Sequence, residues 1–266
     1  MRILIFWDIF GRIWRAAFER ELSHLCEQYT PSICIANIEN ITSWRGPVKE
    51  HAEYMEKLGV DLMTLWDHAF DNMESIWEYF EKKPEKIIRP YNFYGSLPGV
   101  GYQIIKKNGV RILVMQFLWE VFMTHNVQNP FHSIDWLLSR INPELYDISI
   151  VEFHKEVTAE FYGMLHHLKN RVSLVYGTHT HVQTADARIH SNYTAWICDI
   201  GMNGASNGVI GADFSSVKRR FLTWLQQGKI EQNLEKNYQI NAIVCDFDTW
   251  SWACTDIQPI SFLWSL

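Results

Sequence analysis

Short apolar runs recur along the chain and are separated by longer amphipathic stretches. Nine runs of five to seven residues have the length and the apolar content of buried strands. They cover residues 2–7, 32–36, 61–65, 102–106, 111–117, 147–153, 171–176, 194–198 and 239–245. Six stretches carry apolar residues at three- and four-residue spacing, which predicts amphipathic helices. They cover residues 12–29, 48–58, 72–80, 130–140, 156–168 and 213–227.

The order of these elements predicts an α/β fold. Strand and helix alternate in the first half of the chain, which is typical of parallel βαβ units, whereas the strands around Asn108-Gly109 predict a hairpin. The chain has no Ser-, Pro- or Gly-rich linker, no internal repeat and no low-complexity segment. We therefore expect one domain over residues 1–266, with two sheets packed between helices.

The composition narrows the classes of function. A formal net charge of −6 argues against stable nucleic-acid binding, because contacts to the phosphate backbone need clustered Lys and Arg. We expect neither a membrane span nor a secretory signal, since no apolar run approaches roughly 18 residues and Asp8 interrupts the first run. The expected location is the cytoplasm, where the five scattered cysteines would be reduced core thiols.

Polar residues of metal-binding type follow several of the predicted strands. The candidates are Asp8, Glu39, Asn40, Asp67, His68, His154, His179 and His181. In open α/β sheets ligands bind beyond the carboxyl ends of the strands, so we expect these side chains to converge at one edge. Carboxylate, amide and imidazole ligands without thiolate favour manganese, iron or zinc. A carboxylate that bridges two ions about 3.5–4 Å apart would suit phosphoester hydrolysis.

His179 and His181 are the most informative pair in the set. On an extended backbone two residues at this spacing point to the same side, so both imidazoles could hold one metal centre. Taken singly, each candidate has an ordinary structural interpretation. Asp8 could cap a helix, His154 could be a core histidine bonded to a carbonyl, and the pair could be exposed loop residues. Recurrence at five separate segments favours a site.

A set of short motifs links the chain to a known family. They lie at residues 8–11, 36–40, 45–46, 66–68, 89–90, 121–123, 153–156, 177–186 and 199–202. With these motifs, nearly the whole chain resembles the YmdB-like group of calcineurin-type metallophosphoesterases, which are 2′,3′-cyclic-nucleotide phosphodiesterases. The long histidine motif at 177–186 is highly specific to that group.

The resemblance implies a four-layer αββα sandwich, the calcineurin-like metallophosphoesterase fold, with two divalent metal ions. By that similarity one ion would be held by Asp8, Glu39 and His181, and the other by Glu39, Asp67, His154 and His179, with Asn40 close by. Glu39 would bridge the ions, and His68 would be the general acid while a metal-bound hydroxide attacks phosphorus in line. The implied substrate is a 2′,3′-cyclic nucleotide or another small phosphodiester, and the implied assembly is a homo-oligomer.

The chain departs from the family pattern at charged positions. Asp67 stands where the family has Asn, which should tighten cation binding and make the bound ions weaker Lewis acids. Glu152 replaces an Asp before the Phe-His pair, and Glu120 replaces an Arg before Val-Phe-Met. The last change would remove a cation near the substrate.

Tryptophan stands at five positions where the family would have glycine. They are Trp7, Trp14, Trp44, Trp66 and Trp119. The indoles could form a stacking platform for a nucleobase, or they could mark a centre that binds ligand without turnover. The most economical hypothesis is a gene that reads UGA as glycine but was translated with UGA as tryptophan. UGG codons at all five positions would refute it.

Two functions of different classes follow from these observations. The leading hypothesis is a two-metal phosphodiesterase that hydrolyses 2′,3′-cyclic nucleotides with His68 as general acid. The alternative is a catalytically impaired regulatory protein of the same fold that binds metal or nucleotide. A broader nucleotidase or phosphodiesterase specificity would be distinguished by a substrate panel.

Overall fold

The structure is a computed structural model. It describes residues 1–7, 9, 11–42, 46–122, 126–190, 193–225, 228–234 and 237–265, of which 12–17, 73 and 265 are described by backbone alone. Within these residues the α-helices are α1 (Gly11–Tyr29), α2 (Lys49–Lys57), α3 (Met73–Lys82), α4 (Pro130–Arg140), α5 (Thr158–Leu168) and α6 (Phe214–Thr223). None of these helices is both long and apolar enough to cross a lipid bilayer.

Thirteen strands form two sheets within the described residues. They are β1 (Arg2–Phe6), β2 (Ile33–Asn37), β3 (Leu62–Thr64), β4 (Ile87–Ile88), β5 (Tyr102–Lys107), β6 (Val110–Leu118), β7 (Ile148–His154), β8 (Leu174–Thr178), β9 (Arg188–His190), β10 (Thr194–Ile197), β11 (Gly204–Ala205), β12 (Asn237–Phe247) and β13 (Cys254–Ser265). One sheet has the order β11-β12-β1-β2-β3-β4 with β13 also paired to β12, and the other has the order β5-β6-β7-β8-β10-β9.

The strand directions confirm the predicted βαβ units. Strands β1 to β4 are parallel neighbours in the first sheet, and β6, β7, β8 and β10 are parallel neighbours in the second. Strands β5 and β6 form the antiparallel hairpin expected around Asn108-Gly109, where both residues have positive φ. Parallel strands of one sheet end at the same edge, so the polar residues that follow them are brought together.

Alternating side chains of β1 show how the layers are built. Leu4 and Phe6 pack with Phe18 of α1 on one face of the first sheet, whereas Ile3 and Ile5 pack against the second sheet. A third apolar cluster joins the second sheet to α4 and α5. The layer order is therefore helix, sheet, sheet, helix, which confirms the expected αββα sandwich.

All nine predicted strands and all six predicted helices are present, and all but α4 have at least one shifted end. The patterns missed β4, β9, β11 and β13. β4 and β11 are two residues long, too short for a periodic signal. β13 contains Pro259 and polar residues, which speak against a strand, yet it pairs with β12 along almost its whole length. Its stability comes from that long-range pairing.

Helix α6 ends four residues earlier than the pattern predicts, because Trp224 adopts the left-handed conformation. Trp224 has φ 59° and ψ 6°, and its N–H donates to Arg220 O at 2.8 Å. This is the position after a helix that glycine usually occupies, since a Cβ atom is unfavourable there. The indole is 88% exposed, so burial offsets little of that cost.

We expect Trp224→Gly to stabilise the protein by about 0.5 kcal/mol or more, because relief of the left-handed strain outweighs the greater freedom of glycine in the unfolded chain. Urea unfolding followed by circular dichroism measures the change. Trp136→Gly is the matched control, since Trp136 is also exposed but lies inside α4, where glycine should cost about 1 kcal/mol. A Trp224→Gly variant that is less stable than the wild type would contradict the strain argument.

Candidate metal centre

A cleft of about 330 Å³ lies where the carboxyl ends of parallel strands from the two sheets meet. The predicted site residues that line it are Asn40, Asp67, His68, His154, His179 and His181. Asn40 comes from the 3-10 helix after β2, Asp67 and His68 from the loop after β3, and His154 is the last residue of β7. Five segments were expected to contribute, and the described residues show four of them. The fifth, at Asp8, lies outside the described residues.

Glu39 is buried directly beneath this cleft. Its Oε1 accepts the backbone N–H of His68 at 2.6 Å, and ligand atoms of Glu39, Asp67 and His68 all lie within 4.8 Å of one another. The Glu39 side chain is fully buried, although a carboxylate is stable in the interior only when positive charge or hydrogen bonds compensate it. A cation between these carboxylates would supply that compensation.

Two histidines are held as neutral imidazoles. Burial lowers the pKa of His181 to about 4, and burial together with the neighbouring His179 lowers the pKa of His154 well below its usual range. The Nδ1–H of His181 donates to Ile210 O at 3.1 Å, which leaves Nε2 unprotonated. Metal-bound histidines are commonly oriented in this way by a carbonyl behind the ring.

The ring of His154 links the two halves of the cleft. Its Nε2 lies 3.8 Å from Asp67 Oδ1, across the junction of the two sheets, and 2.9 Å from His179 Nδ1. Its Nδ1 lies 3.2 Å from Thr178 Oγ1. Ring nitrogens of His154 and His179 that lie this close cannot both carry protons, so the cluster is suited to binding a shared cation.

The backbone of the histidine pair differs from the expectation. β8 ends at Thr178, and His179 and His181 have φ of 105° and 66°, so the assumed extended backbone is wrong. Both rings still reach the same cleft, because Asp199 Oδ2 accepts the N–H of Thr180 at 2.9 Å and its hydroxyl at 2.8 Å. Non-glycine residues in this region are strained, and such strain is concentrated at functional sites.

Two acidic residues of the site were absent from the predicted set. Asp71 Oδ2 lies 2.7 Å from His68 Nδ1, and Glu156 Oε2 lies 2.7 Å from His179 Nε2. Asp71 fixes the His68 ring with Nδ1 protonated, so Nε2 is directed at Asp67, 3.9 Å away. The three-residue spacing between His68 and Asp71 was a usable signal, whereas the Glu156 contact depends on the tertiary fold.

Tryptophan rings form the floor under the imidazoles. Trp66 stacks on His154 with ring centroids 4.0 Å apart, and Trp7 contacts the edge of His181 at 4.8 Å. Trp7 and Trp119 are fully buried, so the stacking hypothesis is wrong for these two. Trp66 is buried against His154 but also lines the cleft, so the hypothesis stays open for it.

The backbone conformation gives no reason for glycine at Trp7, Trp66 and Trp119, since none of the three has positive φ. Burial leaves the indole N–H groups of Trp7 and Trp119 without an acceptor among the described residues. The side chain of Trp14 and all of Trp44 lie outside the described residues. Genuine tryptophan and recoded glycine both stay open as hypotheses for these positions.

Glu152 anchors this floor from below. It accepts hydrogen bonds from Trp66 Nε1, from Tyr176 Oη at 2.7 Å and from Gln116 Nε2 at 3.2 Å. Burial raises the pKa of Glu152 from 4.5 to about 7, although these donors favour the ionised form. The folded state therefore holds this proton more tightly than the unfolded chain. Its stabilisation is fully present below about pH 4.5 and is lost as the pH rises through about 7.

We expect the Glu152 carboxyl of metal-free protein to titrate at about pH 7. Carbon-13 NMR of glutamate-labelled protein measures this, with Glu152→Gln as the control that identifies the resonance. A midpoint near the ordinary 4.5 would show that the surrounding donors fully offset the effect of burial.

The donor set fits a divalent cation. Asn40 Oδ1 is buried and has no hydrogen-bond donor among the described residues, which leaves one oxygen available to a ligand in the cleft. Carboxylates, an amide oxygen and neutral imidazoles at the junction of two sheets in an αββα sandwich define a metallophosphoesterase, a class of hydrolase.

Comparison with known proteins places the chain within that class. The YmdB-like protein family model matches residues 4–260, and the chain belongs to this family. It is 33% identical to a 2′,3′-cyclic-nucleotide 2′-phosphodiesterase of Bacillus subtilis over 84% of this chain and 83% of the relative.

Solved structures agree with the fold. A phosphatase from Mycoplasma pneumoniae matches 99% of this chain and 93% of its own, with a TM-score of 0.89 and 25% identity. A 5′-nucleotidase from Staphylococcus aureus matches 97% of this chain and 53% of its own, with a TM-score of 0.61 and 13% identity. The second likeness concerns the fold alone.

Proposed function

We propose that the chain is a dinuclear metal-dependent phosphodiesterase that hydrolyses 2′,3′-cyclic nucleotides. The observation that carries the proposal is the convergence of Glu39, Asp67, His154, His179 and His181 from both sheets on one cleft. The phosphodiesterase of Bacillus subtilis supplies the substrate class.

The ligands would divide between two ions. Asp8, Glu39 and His181 would hold one ion, and Glu39, Asp67, His154 and His179 the other, with Asn40 beside the second. Two such ions would polarise the phosphodiester, supply a nucleophile at neutral pH and stabilise both the entering and the leaving oxygen. Iron, manganese and zinc all suit these ligands.

His68 would provide the proton for the leaving ribose oxygen. Asp71 holds the ring through Nδ1 at 2.7 Å, so Nε2 is the atom that carries the transferred proton. Two carboxylates flank this ring, with Asp67 Oδ2 3.9 Å from Nε2 and Asp71 Oδ2 2.7 Å from Nδ1. When the bond between phosphorus and the ribose oxygen breaks, the proton moves from Nε2 to that oxygen.

Asp67, where the family has Asn, would change both the metal affinity and the reactivity of this centre. An anionic ligand close to His154 adds negative charge, which tightens cation binding. The same charge would reduce the electron-withdrawing power of the ions. We therefore expect a slower chemical step and firmer retention of the metal.

A metal analysis combined with a hydrolysis assay on 2′,3′-cyclic AMP tests the proposal. Two ions per chain and hydrolysis to a nucleoside monophosphate are the expected results. Metal without hydrolysis, in protein with the printed sequence, would favour the impaired regulatory protein instead. The observation behind that alternative is the pair of buried indoles, Trp7 and Trp66, packed against ligand histidines.

A further inference from the structure

A second pocket lies beside the metal cleft at the same edge of the first sheet. It has a volume of about 350 Å³, and His181 and Ile210 line both the pocket and the cleft. The strand register explains this position. Phe6 at the end of β1 pairs with Ala242, so the residues of β12 that precede Ala242 extend beyond β1, and Asn241 among them lines the pocket. A ligand held in the cleft can therefore extend into the pocket.

The amide of Gln183, which lines this pocket, is fixed in one orientation. Its Nε2 donates to three backbone carbonyls, those of Ile200, Ala242 and Ile260, at 3.2, 3.2 and 3.1 Å. A flipped amide would place Oε1 against three acceptors, so only one orientation is compatible with these contacts. The nitrogen is therefore committed to the backbone, and Oε1 is the atom left to accept a hydrogen bond from a ligand.

Asn241 is held in the same way. Its Nδ2 donates to Met202 O at 2.5 Å, so its Oδ1 is likewise left as an acceptor. Gly201, with φ 74°, keeps the two amides together, because a Cβ atom there would lie 2.9 Å from Gln183 Cβ and 3.0 Å from Asn241 Cγ. The pocket therefore presents two neighbouring acceptor oxygens whose amide nitrogens are already bonded.

Two neighbouring acceptors are complementary to a ligand edge with two neighbouring donors. Among the common nucleobases only guanine has such an edge, formed by N1–H and the 2-amino group. Adenine and cytosine have an acceptor nitrogen beside the amino group, and uracil has one N–H between two carbonyl oxygens. Each of these would set an acceptor against a fixed amide oxygen. We propose that the pocket binds the base of the substrate and selects guanine, so that 2′,3′-cyclic GMP is the preferred substrate.

The apolar part of the lining suits the faces of a purine and its ribose. Met202 is buried in the pocket, and Ile210 is 52% exposed on the turn between the pocket and the cleft. Ile210 has φ 44°, a strained value for a β-branched residue, and its carbonyl accepts the His181 Nδ1–H. The same turn therefore contacts a predicted metal ligand and the pocket. The choice of substrate rests on the proposed function, whereas the binding of guanine does not.

Nucleoside binding to the metal-free protein tests the pocket by itself. Titration followed by NMR should show guanosine bound at least about tenfold more tightly than adenosine, because well-formed hydrogen-bond pairs discriminate between bases by factors of this order. Inosine keeps N1–H but lacks the 2-amino group, so its affinity should fall between the two. Equal affinities for guanosine and adenosine, or no binding of guanosine, would overturn the proposal.

A variant tests the acceptor directly. Gln183→Met keeps the length of the side chain but removes the oxygen, so it should reduce the preference for guanosine over adenosine by at least about fivefold. A purely structural role of Gln183 would weaken both nucleosides equally, so an unchanged ratio would overturn its role in selection. Gln103→Met is the matched control, because Gln103 is a half-buried glutamine of β5 outside the pocket, and it should keep the wild-type ratio.

Steady-state kinetics of the metal-loaded protein separate this proposal from the phosphodiesterase assignment. The kcat/KM for 2′,3′-cyclic GMP should exceed that for 2′,3′-cyclic AMP by at least about tenfold. Equal hydrolysis of both nucleotides would overturn guanine selection and leave the phosphodiesterase assignment intact. Selective binding of guanosine without hydrolysis of either nucleotide would support the pocket and refute the phosphodiesterase assignment.

Discussion

Glu39→Ala should lose metal and reduce hydrolysis of 2′,3′-cyclic AMP by at least about 10³-fold, since bound ions stabilise the transition state by several kcal/mol. The reason is the position of Glu39, which is fully buried beneath the cleft. Its ligand atom lies within 4.8 Å of ligand atoms of Asp67 and His68. Plasma emission spectroscopy of the purified variant measures metal per chain, and initial rates measure activity.

Two further variants isolate the role of the charge. Glu39→Gln keeps an oxygen that can accept the His68 N–H but removes the negative charge, so it should also lose metal. Glu21→Ala removes a carboxylate of similar burial that pairs with Arg20 at 2.7 Å, away from the cleft. That variant should be less stable yet retain its metal. Full metal content in both Glu39 variants would refute Glu39 as the bridge.

His68→Ala should leave the metal content unchanged and lower kcat by roughly 10²–10⁴-fold, the usual contribution of a general acid. The loss should be much smaller with a p-nitrophenyl phosphodiester, because p-nitrophenolate leaves without needing a proton. Steady-state kinetics on both substrates, together with metal analysis, make this comparison.

The same experiment decides between two roles for His68. A ring nitrogen of His68 lies within 4.8 Å of ligand atoms of Glu39 and Asp67, so metal coordination is a geometrically available alternative. Loss of metal in His68→Ala, with equal loss on both substrates, would assign that role. Asp71→Asn is the positioning control, since it weakens the hold on Nδ1 while leaving Nε2 in place, and it should lower kcat less than His68→Ala does.

The elements were predictable because their signals are local. Apolar periodicity located nine strands and six helices, and polar residues beyond the strand ends identified the lining of the cleft. β13 was missed because its stabilisation comes from pairing with β12, and Pro259 obscured its pattern. The burial of Trp7, Trp66 and Trp119 was equally invisible, since residue type does not show which rings the two sheets enclose.

The sequence by itself determined the αββα class, the family and most of the candidate ligands, because periodicity and motif spacing are properties of neighbouring residues. Only the tertiary structure decided how those ligands meet. The 3.8 Å approach of His154 to Asp67 crosses from one sheet to the other, and the contacts of His181 with Ile210 and of His179 with Glu156 join separate loops. Such contacts depend on how the sheets pack, and packing is a long-range property that local sequence patterns do not contain.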